Sequence, residues 1–105
     1  MENILATDVR ATDVVCDVRE EFEYDAGHIK DVIHIPVGEL MARYDELPLD
    51  DQIVVVCRTG GRSAQAVNWL NQHGVDAVNL TGGMDAWFEA GLPIVSETGK
   101  EPRIL

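Results

Sequence analysis

The chain has 105 residues, 46% of them hydrophobic, and a formal net charge of −11. That is enough chain for one packed domain with its own core, which buries roughly two-thirds of the unfolded-chain surface. A charge of this sign repels nucleic acid, and no apolar run approaches the ~20 residues that span a bilayer, so neither nucleic acid nor membrane is an expected partner.

Residues 1–11 are short and ambiguous, with Ile4-Leu5 as a candidate edge strand. Met1-Glu2-Asn3-Ile4 has no basic stretch leading into an apolar one, so no secretory signal is expected and the cytoplasm is the expected compartment. Val14 to Asp17 reads as the first strand, Glu20 to Ala26 as one or two helical turns stopped by Gly27, and Val32 to Ile35 as a strand ended by Pro36. From Val37 to Tyr44, Val37, Leu40, Met41 and Tyr44 recur at spacings of three and four, which predicts an amphipathic helix. Pro48 and Asp50-Asp51 mark a surface turn.

Ile53-Val54-Val55-Val56 is a continuous β-branched run of the kind buried on both faces of a parallel sheet. Cys57 stands at its carboxyl end, followed by Arg58, Thr59, Gly60, Gly61, Arg62 and Ser63. The glycines permit a tight loop, and Ser63 is a candidate cap for a helix carrying Ala66, Val67 and Leu70 inward, ended by Gly74. Asp76 to Leu80 is a further strand, Gly82-Gly83 a turn, and Met84 to Ala90 a last helix stopped by Gly91 and Pro93. Trp87 and Phe88 are expected to pack that helix on the sheet. Residues 96–105 are polar and expected to fray. Strands alternating with helices predict an α/β fold: an open, mostly parallel sheet of about five strands with helices on both faces, in one domain spanning 1–105 with its core in 14–95.

The loop from Cys57 to Ser63 concentrates the chemistry. A thiolate is the nucleophilic form of cysteine. Converging backbone N–H groups, the positive end of the following helix, and the charges of Arg58 and Arg62 all favour an anion on sulfur. Four residues separate Cys57 from Arg62. Cysteine phosphatases use a loop one residue longer, wide enough for a tetrahedral oxyanion, and would need arginine at the position of Ser63; the tighter ring suits one extra sulfur atom on Cys57. A nucleotide-binding GxxxxGK[ST] loop is absent.

The stretch Cys57-Arg58-Thr59-Gly60-Gly61-Arg62-Ser63 resembles the persulfide loop of the rhodanese (thiosulfate sulfurtransferase) family. Asp17-Val18-Arg19-Glu20 with Gly27-His28-Ile29 and Ile35-Pro36 is similar to that family's first signature, and Leu80-Thr81-Gly82-Gly83-Met84-Asp85-Ala86-Trp87 with Ala90-Gly91-Leu92-Pro93 to its C-terminal one. The likeness runs from about Val14 to Val95 and implies a single-domain rhodanese-like fold whose usual helical lead-in is shortened. It implies a ping-pong sulfurtransferase. Cys57 takes a sulfane sulfur from thiosulfate or a similar donor, and the persulfide passes it to cyanide, a small thiol or a protein thiol such as a thioredoxin. No metal or organic cofactor is implied. A carrier or redox- and sulfide-sensing module loaded by a partner protein is the alternative, and a phosphatase or arsenate reductase is the reading the short loop disfavours.

Other residues read more plainly. Asp17 and Arg19 are expected to order the loops by ion pairing rather than touch substrate. His28 is expected to make a structural hydrogen bond at a turn, not to act as a base. Cys16 reads as a core residue rather than a resolving thiol. Trp69 falls off the buried helix face and is expected at the surface. The three histidines and two cysteines show no zinc-ligand spacing.

Overall fold

A computed structural model describes residues 2–105. Five strands, β1 (Asn3–Ile4), β2 (Val14–Asp17), β3 (Ile33–His34), β4 (Ile53–Val56) and β5 (Ala77–Leu80), form one sheet in the order β1-β5-β4-β2-β3. Every adjacent pair is parallel. The helices are α1 (Glu21–Ala26), α2 (Leu40–Arg43), α3 (Gly61–Gln72) and α4 (Gly83–Glu89).

Side-chain alternation along the strands divides the core in two. Cys16, Ile53, Val55, Cys57 and Ala77 point to the face covered by Leu40 of α2 and by Ala66, Val67 and Leu70 of α3. Val15, Val54, Val56, Val78 and Leu80 point to the opposite face, covered by Met84 and Trp87 of α4. All four residues of β4 are buried, as a central parallel strand requires. The register therefore puts Cys57, the first residue beyond β4, on the α3 side.

Several sequence expectations need correction. The 37–44 helix is three short pieces: 3-10 turns at Val37–Glu39 and Tyr44–Glu46 flanking the single turn of α2. Leu40 is buried there while Met41 is 72% exposed, so the apolar stripe is narrower than the spacing suggested. Phe88 is exposed and Trp87 alone of that pair packs inward. Trp69 is half-buried, stacked on His73 with centroids 3.8 Å apart and edge-on to Tyr44. The edge strand is Asn3–Ile4, and Leu5 is exposed.

The tail does not fray. The N–H of Glu97 donates to Asp25 O, the N–H of Arg103 donates to Ala26 O, and Ile104 packs against the α4-side core. His28 ties it further: its ring bonds Ile29 O through Nδ1 (2.7 Å) and Glu97 Oε2 through Nε2 (2.9 Å), and its backbone pairs with Val95. His28 is thus a structural residue, fully engaged at both ring nitrogens. Polar composition misled because the tail's bonds are mostly backbone bonds, which composition does not report. None of the described helices is long and apolar enough to cross a membrane.

Candidate active site

Cys57 sits where β4 ends and a turn over residues 57–60 leads into α3. Gly60 adopts a left-handed backbone, φ +117°, at the start of the helix, a conformation natural to glycine. This turns the chain so that the first amides of α3 face back toward the strand end. The N–H of Gly60 donates to Cys57 Sγ at 3.0 Å. The Ser63 hydroxyl lies 3.3 Å from the same sulfur. The sulfur thus occupies the place of a helix cap, accepting from N–H groups that have no partner inside the helix. Ser63, expected as the cap, instead lies one turn inside α3, wholly buried, and its hydroxyl donates to Asn79 Oδ1 at 2.5 Å.

The residue is only 1% exposed, yet its thiol is held below the usual range. Burial works against the thiolate; the hydrogen bond that a thiolate would accept from the Ser63 hydroxyl, and those from the Ser63, Gly60 and Thr59 amides, outweigh it. Neutral dipoles lead this stabilisation. The Arg62 guanidinium is engaged elsewhere, gripping both oxygens of Glu23 at 2.7 and 2.9 Å. Arg58 stands at the rim, half-exposed, 3.5 Å from Asp85. Thr59 and Gly61 are exposed at the loop's outer surface.

The loop's carbonyls are held outward by α4. The N–H of Met84 donates to Cys57 O at 2.8 Å and that of Asp85 to Arg58 O at 3.0 Å. With carbonyls fixed on that side, the intervening amides turn to the sulfur.

Asp17 and Arg19 form a wholly buried ion pair, with Arg19 Nη2 donating to Asp17 Oδ2 at 2.7 Å and to Gly27 O at 2.8 Å. Arg19 Nη1 is buried with no partner among the described residues. The pair joins the end of β2 to the turn after α1, and so fixes the helix that carries Glu23. Cys16 lies wholly in the core, its thiol pushed up to about 12 by burial and then by Asp17, which keeps it neutral and unreactive. Among the described residues, no three of His, Cys, Asp and Glu gather as metal ligands.

Two residues of this site escaped the sequence reading. Glu23 was visible only as the third residue of a capping box with Glu20, which forms in α1. Asn79 lies in a strand whose alternation marks it as inward-facing and polar, a combination that calls for a partner.

A family model described as Rhodanese-like domain matches residues 3–90. The chain is 40% identical over 87 residues to a protein named Sulfurtransferase from Allochromatium vinosum, covering 82% of this chain and 81% of that one. It is 40% identical over 74 residues to the putative sulfur carrier protein YrkF of Bacillus subtilis, covering 70% of this chain and 40% of that longer protein. The crystal structure of a rhodanese-related protein from Thermoplasma volcanium matches with a TM-score of 0.86 at 39% identity, over 90% of this chain and 98% of that one.

Proposed function

The chain belongs to the rhodanese-like domain family, whose chemistry is sulfur transfer, and from that premise we propose that it moves a sulfane sulfur from thiosulfate or a like donor through a persulfide on Cys57. The observation that carries this is the sulfur itself. It is almost closed off, it accepts an amide hydrogen bond at 3.0 Å, and it is held toward the thiolate by N–H and O–H dipoles of the kind that also stabilise a persulfide anion. So enclosed a nucleophile is reached by a single terminal atom, as the outer sulfur of thiosulfate presents.

The Cys57 thiolate attacks that outer sulfur, the S–S bond breaks toward the sulfonate end, and sulfite leaves with the electron pair. The persulfide anion then loses its terminal sulfur to an incoming nucleophile, and the thiolate returns. Cyanide leaves as thiocyanate; a small thiol or a protein thiol such as a thioredoxin leaves as its own persulfide. Arg58 draws the donor toward the mouth against the acidic surface. Screening over ~10 Å lets a near positive charge outweigh distant negative ones. No proton relay is needed, in keeping with His28 being committed to the tail. A phosphatase reading finds no support: Ser63 stands where that longer loop would carry its arginine, and the neighbouring Arg62 is occupied by Glu23.

Thiocyanate production from thiosulfate and cyanide tests the proposal. The wild-type chain is expected to turn over, and Cys57→Ser is expected to fold and be inactive; turnover in that variant would refute it. The similarity to a sulfur carrier supports the second reading, a module loaded by a partner protein. Persulfide appearing only when such a partner supplies sulfur selects that reading over the enzyme.

A further inference from the structure

One hydroxyl proton in the site has two claimants. Ser63 Oγ lies 3.3 Å from Cys57 Sγ and 2.5 Å from Asn79 Oδ1, and a hydroxyl donates once. In the observed geometry the proton is directed to Asn79, so the Ser63 oxygen is left as an acceptor toward the sulfur. The chain of donors then runs Sγ–H to Oγ–H to Oδ1, which satisfies a neutral thiol. A thiolate or a persulfide, having no proton to give, needs the opposite direction. The hydroxyl must turn to sulfur, and Asn79 must turn its amide to offer Nδ2–H to Ser63 Oγ. The present hold on Nδ2 is weak: it lies 3.5 Å from Gly60 O, a carbonyl already accepting from the Ala64 N–H at 3.0 Å. Asn79 is 7% exposed and Ser63 wholly buried, so water does not readily stand in for either.

We propose that Asn79, on β5, is a positioning residue that sets the direction of the Ser63 hydroxyl and thereby switches the floor of the loop between a thiol-holding and an anion-holding arrangement. The residue is placed for this by register. Asn79 pairs with Val55 on β4 and shares the inward face of Ala77, which looks at α3. The inference rests on Cys57 being the working thiol of the proposed transfer, and its test does not require turnover.

The test is the pH dependence of alkylation of the full chain by iodoacetamide, an uncharged reagent that reads the thiolate. Cys16, raised to about 12, is silent over the range used. Asn79→Leu removes the competing acceptor at similar bulk and frees the hydroxyl for sulfur, so the midpoint is expected to fall by about half a pH unit or more. Asn79→Asp, nearly the same shape, is a stronger acceptor and adds a negative charge, so it is expected to raise the midpoint, and by less in the Ser63→Ala background, where only the charge acts. In a Ser63→Ala background the fall caused by Asn79→Leu is expected to vanish. The charged groups on the elements around the thiol are Arg58 and Arg62, Glu23 of α1, Asp17 and Arg19 at β2, and Asp85 of α4; these are constant across the series, and only Asn79→Asp adds a charge of its own.

Midpoints that move the same way in both variants, that do not move, or that still fall without Ser63 overturn the proposal. Should Leu disturb the sheet, Asn79→Ala carries the same prediction by simple truncation. A shift of the expected sign in a chain that transfers no sulfur would retain the switch and discard the enzymatic reading. Turnover with no shift would do the reverse.

Discussion

Glu23 takes three donors on one carboxylate: the Glu20 N–H at 3.0 Å and the two Arg62 nitrogens at 2.7 and 2.9 Å. It closes the capping box of α1 and ties α1 to the reactive loop. The Arg62 hydrogen bond, ahead of the opposing effect of burial, holds its carboxyl below the usual range. A depressed folded value means that the stabilisation is complete above the ordinary value of 4.5 and is lost as pH falls through the lower folded one. Arg62 is 36% exposed, so solvent trims the gain, and Glu23→Gln is expected to cost about 1–2 kcal/mol at neutral pH, seen as a lower urea midpoint. The variant's stability is also expected to fall less steeply below pH 4.5; an equally steep acid limb would contradict the assignment. Cys57 and its loop were legible because they form one contiguous stretch. Glu23 and Asn79 were not, because their partners lie 39 and 16 residues away and only the fold brings them together.

At the scale of elements, α4 is the loop's outer brace. Gly83 has φ +59°, and a β-carbon there would run into the carbonyls of Cys57 and Arg58. Gly83→Ala therefore forces the brace off the loop and adds backbone strain of roughly 1–3 kcal/mol. A lower melting temperature is expected together with a loss of kcat/KM for sulfur transfer. Gly74 is also left-handed, at φ +83°, but faces open space at the far end of α3, so Gly74→Ala is expected to lower the melting temperature alone. Equal transfer rates in the two variants would show that the brace does not shape the site. β2 and β4 were read from sequence to the residue, since a short β-branched run at a sheet centre has little freedom. The 37–44 segment was not, because Pro36 and Gly38 favour tight turns over a continuous helix and the register of Leu40 and Leu47 toward the core settles the matter.

Across the whole molecule, the strand order gives β4 a neighbour on each side, β2 and β5. Cys57 is thereby flanked by what each neighbour brings: the buried Asp17–Arg19 pair from one and Asn79 from the other. A protein of net charge −11 can still carry an anionic sulfur because the groups that hold it are local N–H and O–H dipoles in a nearly closed site. The alternation of strands and helices announced the sheet, but not that the tail would return to brace α1 and His28. The most direct test is the intact mass of the full chain after exposure to thiosulfate and removal of excess reagent. A gain of one sulfur atom, located at Cys57 and removed by cyanide, is the expected result. An unchanged mass, or the same gain in Cys57→Ser, would contradict the account.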